Sequence, residues 1–134
     1  MLKVKMIMTE NVISVRPDEP MQRAAELLTE NGVSGLPVID ADGKLVGVVT
    51  EYDLLQLVFD PELVEAPVSQ HMSGNVVRVQ EDDLLTDLAD VFLVNPIRRV
   101  PVLSGDKVVG VVSRHDLIRF VQNSRQRVHA QLHH

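Results

Sequence analysis

The feature that most constrains this chain is that its pattern occurs twice. Asn31-Gly32-Val33-Ser34-Gly35-Leu36-Pro37-Val38-Ile39 is followed by Lys44-Leu45-Val46-Gly47-Val48-Val49-Thr50-Glu51-Tyr52-Asp53-Leu54. Asn95-Pro96-Ile97-Arg98-Arg99-Val100-Pro101-Val102-Leu103 is followed by Lys107-Val108-Val109-Gly110-Val111-Val112-Ser113-Arg114-His115-Asp116-Leu117. Pro37 and Pro101 stand 64 residues apart, and Thr50 and Ser113 stand 63 apart, so the second turn is one residue shorter. A repeat of this period is one supersecondary unit used twice.

Local signals within each copy agree. Val12–Val15 is a β-branched run closed by Arg16-Pro17 and reads as a strand. Met21, Ala24, Ala25 and Leu28 lie at i, i+3, i+4 and i+7 and make one apolar helix face, ended at Asn31-Gly32. Strands follow at Val33–Ile39 and Lys44–Val49 around the turn Asp40-Ala41-Asp42-Gly43. Thr50 caps a helix running to about Phe59, before Pro61. In the second copy Val76–Val79 is the strand, and Leu85, Leu88, Ala89 and Phe92 repeat the apolar face. Val100–Leu103 and Val108–Val112 are the paired strands, and Ser113 caps a last helix. The expected class is α+β, with repeats at 1–66 and 67–124 and a tail at 125–134. Each β-α-β-β-α unit is too small to close a core alone, so two should pack about a pseudo-twofold axis. The same apolar faces can pair a second copy of the chain in an isologous homodimer.

Composition narrows the function. With 45% hydrophobic residues, 3% aromatic and no Trp, the core must be Val, Leu, Ile and Ala. No Cys is present, which excludes disulfides and thiolate chemistry. No apolar run resembles a signal peptide or spans a membrane, so a cytoplasmic protein is expected. The net charge of −6 argues against nucleic acid as partner. The charge is uneven: residues 1–67 carry 5 Lys/Arg and 12 Asp/Glu, whereas residues 68–134 carry 8 and 7. An anionic ligand therefore finds its counter-charges mainly in the second half. No Ser/His/Asp, paired-carboxylate or metal constellation stands out, so no catalytic residue, no metal and no required cofactor is assigned. His129, His133 and His134 have ligand-like spacing, but an exposed tail or tag remnant is the preferred reading.

The ordered pieces Met8-Thr9, Gly32 to Val38 and Gly47 to Leu54, with Met72-Ser73, Ile97 to Val102 and Gly110 to Leu117, resemble the cystathionine β-synthase (CBS) domain. The resemblance is to its tandem, stand-alone form, the Bateman module, and covers roughly Val4 to Val121. It implies a non-catalytic regulatory module that binds adenosine-containing ligands between its repeats, and often a flat dimer of four repeats. The Asp of the Thr/Ser-x-x-Asp motif would hold the ribose hydroxyls, and the Thr/Ser would lie near phosphate. Basic residues matching Arg98 and Arg99 meet phosphates in the kinase-associated γ subunits of the family. One expected site is therefore Thr50, Asp53, Arg98 and Arg99, with Asn75 and Val77 near the adenine. The other is Ser113, Arg114 and Asp116 with Asn11, Ile13, Ser34 and Gly35, less basic and suited to fewer phosphates.

The chemistry of the motif is compatible with this. A helix N-terminus attracts phosphate through its free N–H groups, and a carboxylate accepts two bonds from a cis-diol. The competing account is a capping box, Ser/Thr followed three residues later by an acid. Both copies carry Asp in place of the longer Glu or Gln, and that short reach is taken here to favour a ligand over a cap. The expected ligand is AMP or ADP, then ATP, with a regulated protein as a further partner. The alternatives are S-adenosylmethionine, against which Arg98-Arg99 count, and a dimerisation or docking module whose clefts are vestigial.

Overall fold

The computed structural model describes the backbone of residues 1–132 and side chains through Ser124. His129, His133 and His134 thus lie outside the described side chains. The elements are α1 (Met21–Asn31), β1 (Gly35–Ile39), β2 (Leu45–Thr50), α2 (Glu51–Phe59), β3 (Val79–Gln80), α3 (Leu85–Val94), β4 (Arg99–Ser104), β5 (Lys107–Ser113) and α4 (Arg114–Leu132). The mixed helix-and-strand class stands.

The expected leading strands are much reduced. Of Val12–Val15 only Val15 pairs, through one parallel bridge to Val38. Of Val76–Val79 only the end survives, with Val79 and Gln80 parallel to Val102 and Leu103 of β4. In each run it is the last residue, Val15 or Val79, that joins a bridge or ladder.

The chain forms two compact units. The first comprises Ile13–Val77 and Asp106–Val108. The second comprises Met1–Val12, Arg78–Gly105 and the described chain from Val109 on. These units do not follow the sequence repeats at 1–66 and 67–124: each takes the other repeat's leading segment. Val68 and Met72 join the first core, around Met21, Ala24, Leu28, Leu36, Val38 and Val49. Val4, Ile7 and Met8 join the second, around Leu85, Leu88, Val100, Val102 and Val112. The expectation that a repeat cannot close a core alone thus takes the form of an exchange of straps, and each unit holds its own apolar cluster.

The helix and turn chemistry matches the sequence signals. Gly32 ends α1 in the left-handed region, at φ 61°, which only glycine adopts cheaply. In both repeats the helix-ending Asn turns back on its own helix. Asn31 Nδ2 donates to the Leu27 carbonyl at 2.8 Å, and Asn95 Nδ2 to the Val91 carbonyl at 2.9 Å. In the first unit β1 and β2 pair antiparallel, with Gly35 opposite Thr50. In the second, β4 lies between β3 and β5.

The straps are held by the middle of the last strand in each hairpin. Ser73 exchanges two backbone bonds with Val48, both 2.9 Å, and Thr9 does the same with Val111, both 2.9 Å. This close approach explains Gly47 and Gly110. A Cβ on Gly47 would stand 2.5 Å from Met72 Sδ and 2.9 Å from the Ser73 carbonyl oxygen. On Gly110 it would stand 2.7 Å from Met8 Sδ and 3.0 Å from the Thr9 carbonyl oxygen. Glycine in these strands marks backbone touching backbone.

Candidate functional site

Each unit builds one helix start beside the start of its own hairpin. In the first, β2 ends at Thr50 and α2 begins, with the Glu51 N–H donating to the Ser34 carbonyl at 3.0 Å. In the second, β5 ends at Ser113 and α4 begins, with the Arg114 N–H donating to the Arg98 carbonyl at 2.9 Å. The helix start at Thr50 is therefore flanked within its own unit by Ser34 and Gly35, and the one at Ser113 by Arg98 and Arg99.

The straps add the next residues. Ser73 anchors on β2, so Asn75 and Val77 belong to the unit that carries Thr50 and Asp53. Thr9 anchors on β5, so Asn11 belongs with Ser113, Arg114 and Asp116. The predicted residues thus fall into two local sets. One is Ile13, Ser34, Gly35, Thr50, Asp53, Asn75 and Val77; the other is Asn11, Arg98, Arg99, Ser113, Arg114 and Asp116. Asp53 and the Arg98-Arg99 pair, assigned above to one ligand, belong to different units.

Both aspartates cap their helices. The Thr50 N–H donates to Asp53 Oδ2 at 2.8 Å, and the Thr50 hydroxyl to the same oxygen at 3.2 Å. The Ser113 N–H donates to Asp116 Oδ2 at 2.8 Å, while the Asp116 N–H donates to Ser113 Oγ at 3.0 Å. This corrects the inference from side-chain length. Aspartate at the third helical position reaches back to the N-cap amide without difficulty. It does so again at Leu84, whose N–H donates to Asp87 Oδ2 at 3.1 Å, and the same three-residue reach closes the turn after β3, where the Gln80 N–H donates to Asp83 Oδ2 at 2.9 Å. The choice of Asp over Glu therefore carries no information about a ligand.

The two caps differ in what remains of the carboxylate. Asp116 Oδ1 lies 3.5 Å from Arg119 Nη1, so both its oxygens are engaged. Asp53 receives both of its bonds on Oδ2, and among the described residues no Lys or Arg pairs with it. Oδ1 of Asp53 takes no part in the cap. Both carboxylates are half-buried, whereas Arg98, Arg99 and Arg114 are exposed, as are Ser34, Asn11, Asn75 and Val77. Among the described residues no group of three or more His, Asp or Glu gathers as a metal site.

Two contributors escaped the sequence reading. The Met72-on-Gly47 and Met8-on-Gly110 contacts place the straps that carry Asn75 and Asn11. Their signal was present, since both Met and both Gly recur in step with the repeat. Arg119 is the other; its i, i+3 spacing from Asp116 was the available sign.

The family model for the CBS domain matches residues 4–60 and again 68–123. A 17.7 kDa protein of Acidianus ambivalens is 35% identical over 118 residues, which are 87% of this chain and 71% of that protein. The chain spans 33% and 42% of two longer relatives from Methanocaldococcus jannaschii. Among solved structures, CBSX2 in complex with AMP matches with a TM-score of 0.82 and 32% identity, over 93% of this chain and 99% of that one. CBSX2 is a protein of Arabidopsis thaliana. The CBS domain pair of protein MJ0100, in complex with 5′-methylthioadenosine and S-adenosyl-L-methionine, matches with a TM-score of 0.76 and 26% identity, over 92% and 98%. No helix among the described residues is long and apolar enough to cross a membrane. With two matched copies and nearly full-length agreement with paired-domain structures, the chain belongs to the CBS domain family as a tandem CBS pair.

Proposed function

We propose that this CBS pair is a non-catalytic regulatory module that binds an adenine nucleotide, AMP or ADP first and ATP next, with Asp53 holding the ribose. The observation that carries this reading is the unequal use of the two capping carboxylates. A ribose diol needs acceptor oxygens, and Asp53 keeps Oδ1 outside its cap while Arg119 engages that of Asp116. The AMP complex of CBSX2 supports the ligand class. In this assignment Thr50 and the α2 amides face the ribose–phosphate region, Asn75 and Val77 the adenine, and Arg98 and Arg99 the phosphate. Ser113, Arg114 and Asp116, with Asn11, Ile13, Ser34 and Gly35, serve a second and weaker event. The protein is cytoplasmic in this reading, a homodimer, and signals to a regulated partner protein.

A second reading has two observations in its favour. The MJ0100 pair is solved with S-adenosylmethionine and methylthioadenosine, which carry no phosphate, and the helix start at Thr50 has no basic residue in the set around it.

A thermal shift panel separates these readings. A ligand at 100 times its Kd that binds only the folded state stabilises by about 2.7 kcal/mol. For a domain of this size that is a Tm rise of about 5–10 °C. AMP, ADP and ATP should produce it, and S-adenosylmethionine and methylthioadenosine should not. A rise with the latter two alone moves the assignment to phosphate-free ligands, and silence across the panel sinks the sensing reading in favour of docking. Light scattering at micromolar protein should show twice the 14.9 kDa chain mass, and a monomer would refute the dimer.

A further inference from the structure

The chain holds five Met and no Cys, so its oxidisable sulfur is all thioether. The methionines sit in three environments. Met21 is 1% exposed in the first core, while Met1 and Met6 are exposed, the latter 58%. Met8 and Met72 are half-buried, each packed at the edge of one core. They are also the two that recur in step with the repeat, 64 residues apart.

Both hold a strap to its hairpin in the same way. Met72 lies on Gly47 and Met8 on Gly110, so close that a Cβ on the glycine would stand 2.5 and 2.7 Å from the sulfur. The next residue, Ser73 or Thr9, makes the two backbone bonds that fasten the strap to Val48 or Val111. Its carbonyl oxygen stands 2.9 or 3.0 Å from the same Cβ position. Each sulfur thus has a glycine beneath it and a carbonyl oxygen beside it, with no space for another atom on that side. Ser73 and Thr9 are themselves exposed, so solvent meets the edge of each contact.

We propose that Met8 and Met72 are reversible oxidation sites through which a peroxide unfastens the straps. A sulfur lone pair takes one oxygen from hydrogen peroxide. The O–O bond breaks and an S–O bond forms; sulfur is oxidised by two electrons, and the second peroxide oxygen leaves with both protons as water. The sulfoxide is polar and one atom larger, and it disrupts packing that suited the apolar thioether. Turned toward the glycine, its oxygen meets backbone and a carbonyl oxygen of like partial charge. Turned away, it lifts the sulfur from the glycine. In both cases the two strap bonds open more often. Methionine sulfoxide reductases restore the thioether, which makes the change reversible. The straps continue into Asn11 and into Asn75 and Val77. An effect on a ligand there rests on the function proposed above; release of the straps does not.

The test treats the full 15N-labelled chain, without ligand, with graded hydrogen peroxide. Peptide mass spectrometry maps the sulfoxides, and amide hydrogen exchange follows the straps. Met6 should oxidise first and leave strap exchange unchanged, and Met21 should stay reduced while the chain is folded. Conversion of Met8 should speed exchange at Thr9 and Val111, and conversion of Met72 at Val48 and Ser73, by about tenfold or more. Methionine sulfoxide reductases A and B should reverse both. Met72→Leu, a swap that cores tolerate, should keep Val48 and Ser73 protected under peroxide while Thr9 and Val111 still open. Met8→Leu should do the converse. Three results overturn the inference: Met8 and Met72 reacting no sooner than Met21, sulfoxides that leave the four amides as protected as before, or Leu variants whose spared strap opens as it does in the parent.

Discussion

The helix starts at Thr50 and at Ser113 are the same device in different surroundings. Both close on an aspartate three residues along, at the same 2.8 Å from the N-cap amide. Around Thr50 stand Ser34, Gly35, Glu51 and Tyr52; around Ser113 stand Arg98, Arg99, Arg114 and His115. The cap is a backbone requirement and is met alike in both. The neighbours answer to no such requirement and have diverged. Function is therefore to be sought in the differences between the copies, and the shared Asp alone does not distinguish a binding site from a helix start.

The largest effect that can break this comparison is on ligand affinity. Asp53→Ala removes a charged acceptor and should weaken AMP by about 1.5–3 kcal/mol, roughly 10- to 150-fold in Kd. Asp116→Ala should leave the first binding event unchanged by calorimetry. Equal losses in the two variants would make the sites equivalent and remove the argument from Arg119.

Next comes the phosphate. Arg98→Ala combined with Arg99→Ala should weaken AMP by about tenfold or more and leave adenosine nearly unaffected. Crossing this variant with Asp53→Ala sharpens the result. Coupling between the two changes places them on one ligand, while simple additivity places them on two. If adenosine weakens as much as AMP, the phosphate assignment is wrong.

The straps give a third contrast, in stability. Gly47→Ala and Gly110→Ala should each cost about 1–3 kcal/mol by overpacking. Gly47 should be the more damaging, because its added Cβ meets both the Met72 sulfur and the Ser73 carbonyl oxygen more closely. Urea unfolding midpoints of the pair decide this; a neutral Gly47→Ala would mean that the strap yields.

Loss of the cap itself is a smaller effect. Asp53→Ala and Asp116→Ala should each lower unliganded stability by about 1 kcal/mol. Asp53→Asn keeps an acceptor for the Thr50 amide, so it should restore much of that stability without restoring affinity. A parallel recovery of both would tie affinity to the cap alone.

The smallest contrast concerns Asp82 in the second unit. Hydrogen bonds from Lys5 and Lys3, at 3.1 and 3.3 Å, hold its carboxyl below the usual range. The matching residue in the first repeat, Asp18, has Pro67 and Ser69 where Asp82 has the two lysines. A carboxylate whose folded pKa is depressed adds stability above its unfolded pKa, near about 4, and loses it as pH falls through the folded value. Asp82→Asn should therefore be slightly less stable than the parent at neutral pH, with the gap closing in acid. The gap is small because the pair is exposed. A gap that widens in acid would contradict the assignment.

The helices were legible because their apolar residues recur at helical spacing. Met21, Ala24 and Leu28 are buried as expected, as are Leu85 and Leu88. The second and third strands were legible from β-branched runs around glycine turns. The exchange of straps was not, because which unit receives Val4 or Val68 depends on pairings between residues distant in sequence. The leading strands were overcalled for the same reason: Val12, Ile13 and Ser14 have strand composition but no partner in a ladder. The motif residues were found, yet the argument from the length of aspartate failed against the geometry at Leu84 and Asp87. The uneven fate of the two carboxylates depends on the side-chain position of Arg119, which spacing alone did not reveal.

The strap exchange also bears on how such a chain can be cut and copied. A gene fragment ending at the repeat boundary near residue 66 would encode a hairpin and two helices without Val68 and Met72, with a Met8 strap that has no Gly110 to rest on. Two such fragments could complete each other only by trading straps, as two clasped hands trade fingers. The heritable module is thus the pair: duplication or deletion of a single repeat leaves an unmatched strap, and expansion should proceed two repeats at a time.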